Sequence, residues 1–194
     1  TLLEESNKEI STFSYIKDEL NIDGKNSVEI KDVSFKYFLS DQYIFKDLDL
    51  TLPSNKHIVI TGPNGSGKST LLGIIAGALK PKTGTASVMS NNIGYVGVSP
   101  YIIPGTLRDN LLYGNELKKS DNEIMELVNE FNLFSSNNLS ALDRTINRKS
   151  LSSGQLQKVS FMRTMLAETD LLLLDESTSN LDDNSREKIF SILK

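Results

Sequence analysis

Apolar side chains at Ile10, Phe13, Ile16 and Leu20 stand three or four residues apart with Lys, Glu, Asp and Ser between them. That spacing lines them along one helical stripe and predicts an amphipathic helix over residues 2–20. Residues 21–27 are polar and contain Asp23-Gly24, which predicts a turn or linker and a domain boundary near Gly24. β structure is expected from Val28, Ile30, Val33 and Phe35. A second apolar run at residues 56–61, through Ile58, Val59 and Ile60, predicts a strand. It leads into a glycine-rich turn and a helix over residues 69–79, marked by Leu71, Leu72, Ile75 and Leu79.

Further along, Ser120-Asp121-Asn122-Glu123 fits a capping box, in which each of two side chains satisfies an otherwise free N–H at a helix start. Ile124, Leu127, Val128 and Phe131 supply that helix with an apolar face. Residues 137–153 are polar and poorly periodic. A helix through Leu156, Val159, Phe161 and Leu166 follows, and then Leu171–Leu174, an all-apolar run expected of a buried strand. No internal repeat or low-complexity tract interrupts the chain.

Composition narrows the function classes. At 194 residues and 38% hydrophobic content, the chain can bury one substantial core, or one core with a subordinate lobe, so a single globular unit is expected. A net charge of −4 and an isoelectric point near 5.1 leave no broad basic surface, which argues against nucleic acid as a partner. Cysteine is absent, so thiolate metal sites and thiol nucleophiles are excluded. No apolar stretch approaches the roughly 18 residues of a membrane span. The start at Thr1-Leu2-Leu3-Glu4-Glu5 has no secretory-signal pattern and reads as a piece of a longer protein, with any membrane anchor outside it.

The chemistry is carried by Gly62-Pro63-Asn64-Gly65-Ser66-Gly67-Lys68-Ser69-Thr70, a phosphate-loop pattern placed between a predicted strand and a predicted helix. Glycines let backbone N–H groups converge on phosphate oxygens, and the helix adds its positive N-terminal end. Lys68 can reach the outer phosphates, and Ser69 can offer a hydroxyl to Mg²⁺. Downstream, the run Leu171–Leu174 delivers Asp175 and Glu176 at its end. Asp175 suits an Mg²⁺ shell and Glu176 suits activation of water. Read alone, this pair could simply end a strand at the surface; behind a phosphate loop that reading loses ground.

Leu151-Ser152-Ser153-Gly154-Gln155 resembles the LSGGQ signature of ABC ATPases, and it stands between the phosphate loop and the Asp-Glu strand in that family's order. The resemblance extends over roughly residues 28–194. Ser179-Asn180-Leu181-Asp182 is similar to the family's D-loop, and residues 100–110 resemble the exporter-type segment that meets membrane domains.

The resemblance implies an α/β fold. It would have a RecA-like phosphate-loop core near residues 28–97 and 158–194, and a helical signature subdomain over about residues 99–157. Residues 1–24 would be a linker helix from a preceding transmembrane domain, and residues 25–194 the ATP-binding domain, ending before the family's C-terminal switch-histidine region. ATP and Mg²⁺ are the implied ligands. Gly62, Asn64, Gly65, Ser66, Gly67, Lys68, Ser69 and Thr70 would hold the phosphates, with Tyr37 stacking on adenine. Ser152, Gly154 and Gln155 would face nucleotide held by a second ATP-binding domain, in a head-to-tail homo- or heterodimer. Ser69 and Asp175 would hold the metal, and Lys68 and Glu176 would be catalytic. Tyr37 also reads as a core or strand-edge tyrosine. The partners would be transmembrane domains, with the chain on the cytoplasmic face of a membrane.

Three departures from the family pattern stand out. Ser153 replaces a glycine of the signature. Val98 stands where the Q-loop glutamine is expected. The only histidine, His57, precedes the phosphate loop and reads as a strand residue. Weak hydrolysis by this piece is therefore expected. A transporter ATPase working in the export direction leads the readings; a degenerate, mainly nucleotide-binding half of a heterodimer and a soluble ABC ATPase outside transport both stay open. A GTPase fits less well, because Asn7-Lys8 and Asn55-Lys56 continue as Glu9-Ile10 and His57-Ile58, not as a guanine-binding motif.

Overall fold

The computed structural model describes residues 14–16, 26–134 and 138–192. The chain divides into two compact units, residues 1–91 and 92–194.

The first unit is built on a four-stranded sheet of β1 (Ser14–Ile16), β2 (Asn26–Phe35), β3 (Phe45–Pro53) and β4 (Thr83–Val88), in the order β1-β4-β2-β3. β2 is antiparallel to both neighbours, and β1 runs parallel to β4. Val28 and Ile30, then Val33 and Phe35, are buried on β2. Ile30 and Val33 are three residues apart, which strict alternation would put on opposite faces. A register shift between them, with Asp32 at φ 52, inserts a bulge that returns Val33 to the core.

Two expectations are corrected here. Ser14–Ile16 is a strand paired with Thr85–Ser87, not part of a helix. Its backbone groups are satisfied by the edge of β4, and tertiary pairing overrides a helical spacing of apolar residues. The rest of the predicted 2–20 helix lies outside the described residues. The run at 56–61, His57 included, is not a strand and joins no ladder among the described residues. β3 ends at Pro53 and the chain turns through Asn55 at φ 54, so the run leaves the sheet with Val59 82% exposed.

Helix α1 (Lys68–Ile75) follows the phosphate loop and buries Leu71, Leu72, Ile74 and Ile75. It stops four residues before the predicted end. The Ala78 and Leu79 N–H groups both turn back to the Gly73 carbonyl, at 2.9 and 3.0 Å. Leu79 then lies over Gly73, where a Cβ would stand 2.8 Å from its Cδ1.

In the second unit, β5 (Ile93–Val96) and β8 (Leu171–Leu174) pair in parallel, Ile93 opposite Leu171 and Val96 opposite Leu174. Between them come β6 (Gly105–Thr106), α2 (Leu107–Leu111), α3 (Asp121–Glu130), β7 (Thr145–Ile146) and α4 (Ser153–Leu166), and α5 (Asp183–Ile192) follows β8. β6 and β7 form a short antiparallel ladder. The capping box of α3 forms as the sequence predicts, with the Ser120 hydroxyl accepting from the Glu123 N–H and Glu123 accepting from the Ser120 N–H. α4 is buried on nearly every side from Leu156 to Leu166 and runs through a core that includes Leu107, Ile124, Val128 and Ile146. The α/β class is as the sequence predicts. Among the described residues no helix is long and apolar enough to cross a membrane.

Candidate functional site

In the first unit the chemistry gathers at the start of α1. Gly67 caps the helix at φ +96, a conformation that disfavours side chains, and a Cβ there would meet Ile44 Cγ2 at 2.6 Å and Phe45 Cζ at 2.9 Å. No side chain caps α1 and no acidic residue stands in its first turn. Its leading N–H groups therefore keep a partial positive charge for an anion. Lys68 turns back over the loop, its Nζ donating to the Gly62 and Pro63 carbonyls, each at 3.0 Å. Asn64, Gly65 and Ser66 form the exposed crest, pinned by the Ser66 N–H on the Pro63 carbonyl at 3.2 Å.

Ser69 is exposed and Thr70 is buried. The Thr70 hydroxyl shares a hydrogen bond of 2.9 Å with the Tyr37 hydroxyl. Tyr37 also meets the Phe35 ring edge-on at 5.1 Å between centroids, and it remains 47% exposed. The ring is thus tied at its hydroxyl to Thr70 and packed edge-on against Phe35, with surface left available for stacking.

In the second unit, Asp175 continues β8 with its N–H on the Val96 carbonyl at 2.9 Å, and it is only 6% exposed. Its Oδ2 accepts from the Tyr95 hydroxyl at 2.9 Å. Partial burial of the phenol, then this hydrogen bond, push the Tyr95 pKa up to about 12, so Tyr95 stays a donor over the ordinary pH range. Glu176 is exposed and takes φ 48, a left-handed conformation uncommon for a residue with a side chain. A turn holds it there, with the Ser179 hydroxyl donating to the Glu176 carbonyl at 3.1 Å.

The signature residues start α4. The Ser152 hydroxyl accepts from the Gln155 N–H, and Gln155 Oε1 accepts from the Ser152 N–H at 2.9 Å. Gln155 Nε2 donates to the Leu133 carbonyl at 2.9 Å, so this amide braces the helix start. Gly154 packs against the backbone at Asn180, where a Cβ would stand 2.9 Å from the carbonyl oxygen. Ser153, the departure from glycine, is exposed.

Three neighbours of these residues escape a reading of the sequence. Besides Tyr95, Gln157 is buried on α4 and donates to the Gly97 and Val98 carbonyls at 3.3 Å, holding the loop in which Val98 is 50% exposed. Lys158 Nζ lies 2.9 Å from Asp182 Oδ2. That hydrogen bond, with those from Ser185, holds the Asp182 pKa at about 2. Buried polar positions on a helix that is covered all round carry no periodic signal, and Tyr95 meets Asp175 only after β5 and β8 pair.

The donor types of Ser69 and Asp175, one hydroxyl and one carboxylate, are hard oxygens. Among the described residues no group of three His, Cys, Asp or Glu could hold a metal ion alone. Hard oxygens are the donor type that suits Mg²⁺, which takes few protein ligands and completes its shell with water and phosphate.

A family profile described as ABC transporter matches residues 45–179. The ATP-dependent permease MDL1 of Candida albicans is 34% identical over 197 residues, covering 91% of this chain and 28% of the relative. The lactococcin-A transport/processing ATP-binding protein LcnC of Lactococcus lactis is 30% identical, covering 94% of this chain and 28% of the relative. A bacterial Atm1-family ABC exporter solved with ATP bound superposes with a TM-score of 0.77 at 22% identity, over 98% of this chain and 37% of that one. The last likeness bears on fold. The chain spans less than a third of the length of these curated relatives.

Proposed function

Since this chain belongs to the ABC transporter family, we propose that it binds Mg-ATP and hydrolyses it to drive a substrate across a membrane, in the export direction. The observation that carries the reading is the uncapped, acid-free first turn of α1 with Lys68 folded over the loop beside it. An anion there gains backbone N–H donors, the helix dipole and an ammonium together.

In this reading the N–H groups of Gly62 and of residues 64–70 hold the phosphates, and Lys68 exchanges its two carbonyl contacts for phosphate oxygens. Tyr37 stacks on adenine. Ser69 and Asp175 would hold Mg²⁺, which when bound would neutralise charge on the phosphates. Glu176 orients a water and accepts its proton as the water oxygen bonds to the γ-phosphorus, while the bond from that phosphorus to the bridging oxygen breaks and ADP departs. Ser152, Gly154 and Gln155 serve nucleotide held by a second ATP-binding domain. Transmembrane domains complete the transporter and place this chain on the cytoplasmic face. Residues 1–24 join it to them, and residues 99–157 form its helical lobe. The export direction draws on the exporter-like segment at residues 100–110 and on the names of the relatives.

A second reading, the mainly nucleotide-binding half of a heterodimer, is favoured by Val98, whose side chain can neither ligate a metal nor orient water. Calorimetric titration with ATP and Mg²⁺ tests the shared claim. Lys68→Ala is expected to weaken binding at least tenfold, and unchanged affinity would overturn the assignment of the loop.

A further inference from the structure

We propose that Tyr95 is a positioning residue for the metal-holding carboxylate, its hydroxyl fixing the Asp175 side chain in the orientation from which it meets Mg²⁺. This rests on the function proposed above, which makes Asp175 a metal ligand.

The parallel register places Tyr95 opposite Leu173. Asp175 lies two residues beyond Leu173, so it points to the same face of the ladder as Tyr95. The phenol runs diagonally along that face, and its hydroxyl ends 2.9 Å from Asp175 Oδ2. The lane is open because the next residue in that alternation, just past the end of β5, is Gly97: a Cβ there would stand 2.9 Å from Tyr95 Cε1. Tyr95, Gly97 and Asp175 thus form one arrangement, in which an absent side chain admits a ring and the ring delivers a donor.

A hydrogen bond to an ionised carboxylate is among the stronger ones, and Asp175 is nearly buried, where its rotation is already confined. Val98, just beyond the strand, has only an aliphatic side chain. The hydroxyl of Tyr95 is therefore a polar contact that the β5 segment makes with Asp175 through a side chain. Groups that orient a metal-binding side chain affect metal affinity by about 10- to 100-fold when removed.

The test uses Mn²⁺ as an electron-paramagnetic stand-in for Mg²⁺, titrated into the chain with a non-hydrolysable ATP analogue. Tyr95→Phe, which removes only the hydroxyl, is expected to weaken Mn²⁺ binding about tenfold. Gly97→Ala, which keeps the hydroxyl but displaces the ring, is expected to shift it in the same direction. Affinity for the analogue in EDTA stays within twofold of wild type in both, a readout that misfolding would destroy. Asp175→Asn serves as the reference and is expected to lose more than either. If Asp175→Asn loses Mn²⁺ while Tyr95→Phe and Gly97→Ala bind within twofold of wild type, the role of Tyr95 is overturned and the metal assignment stands. If Asp175→Asn binds Mn²⁺ as wild type does, the metal assignment fails and the role of Tyr95 with it.

Discussion

Alanine at Gly154 puts a methyl group 2.9 Å from the Asn180 carbonyl oxygen, where ordinary contact begins at 3.4 Å. The backbone at Asn180 or the start of α4 must give by the difference, 3.4 − 2.9 = 0.5 Å. Overpacking of this kind costs about 1–3 kcal/mol. Alanine recovers up to about 1 kcal/mol of helix preference over glycine, and less in a first turn. A net loss of about 1 kcal/mol follows from these two terms. Urea unfolding of Gly154→Ala beside Ser153→Ala checks it: the exposed Ser153 change is expected within about 0.5 kcal/mol of wild type, with the denaturant slope unchanged in both. The displaced segment runs from Glu176 to Asp182, which Lys158 holds from α4, so the same variant is expected to slow ATP turnover. A Gly154→Ala protein with wild-type stability and wild-type turnover would refute the close approach.

Two further outcomes follow from buried or paired groups. The Asp182 carboxyl is held at about 2 chiefly by Lys158, below its ordinary value near 3.9. Its contribution is fully present above about pH 4 and is lost as pH falls through about 2. Asp182 is half exposed, so screening keeps the effect below about 1 kcal/mol; Lys158→Met is expected to flatten the fall in urea midpoint over that window. Ser177 is 2% exposed and its hydroxyl has no hydrogen-bond partner among the described residues. Ser177→Ala removes a desolvated polar group and is expected to raise stability by about 1 kcal/mol, seen as a higher melting midpoint.

Local signals were legible in the sequence wherever both partners lie within a few residues. The capping box at Ser120 and Glu123, the apolar run of β8 and the loop-to-helix junction at Lys68 are of this kind. The run at 56–61 shows the limit: β-branched apolar residues report a preference for a sheet, and a ladder needs a second strand that composition does not locate. α1 ends at Ile75 because Leu79 folds over Gly73, a tertiary contact invisible to a periodicity that counts Leu79 as helical. Tyr95 and Asp175 are separated by 80 residues and become neighbours only through the register of β5 on β8. The phosphate loop and the acidic pair were thus readable as motifs, while the groups that steady them, Tyr95, Gln157 and Lys158, depended on the fold.

ATP turnover by this chain is proposed to run through Glu176. Phosphate release with saturating ATP and Mg²⁺, compared between the wild-type chain and Glu176→Gln, tests it most directly. Slow release is expected from the wild type, given Val98, and at least a tenfold drop in Glu176→Gln with ATP binding retained. Equal release from the two proteins would contradict it.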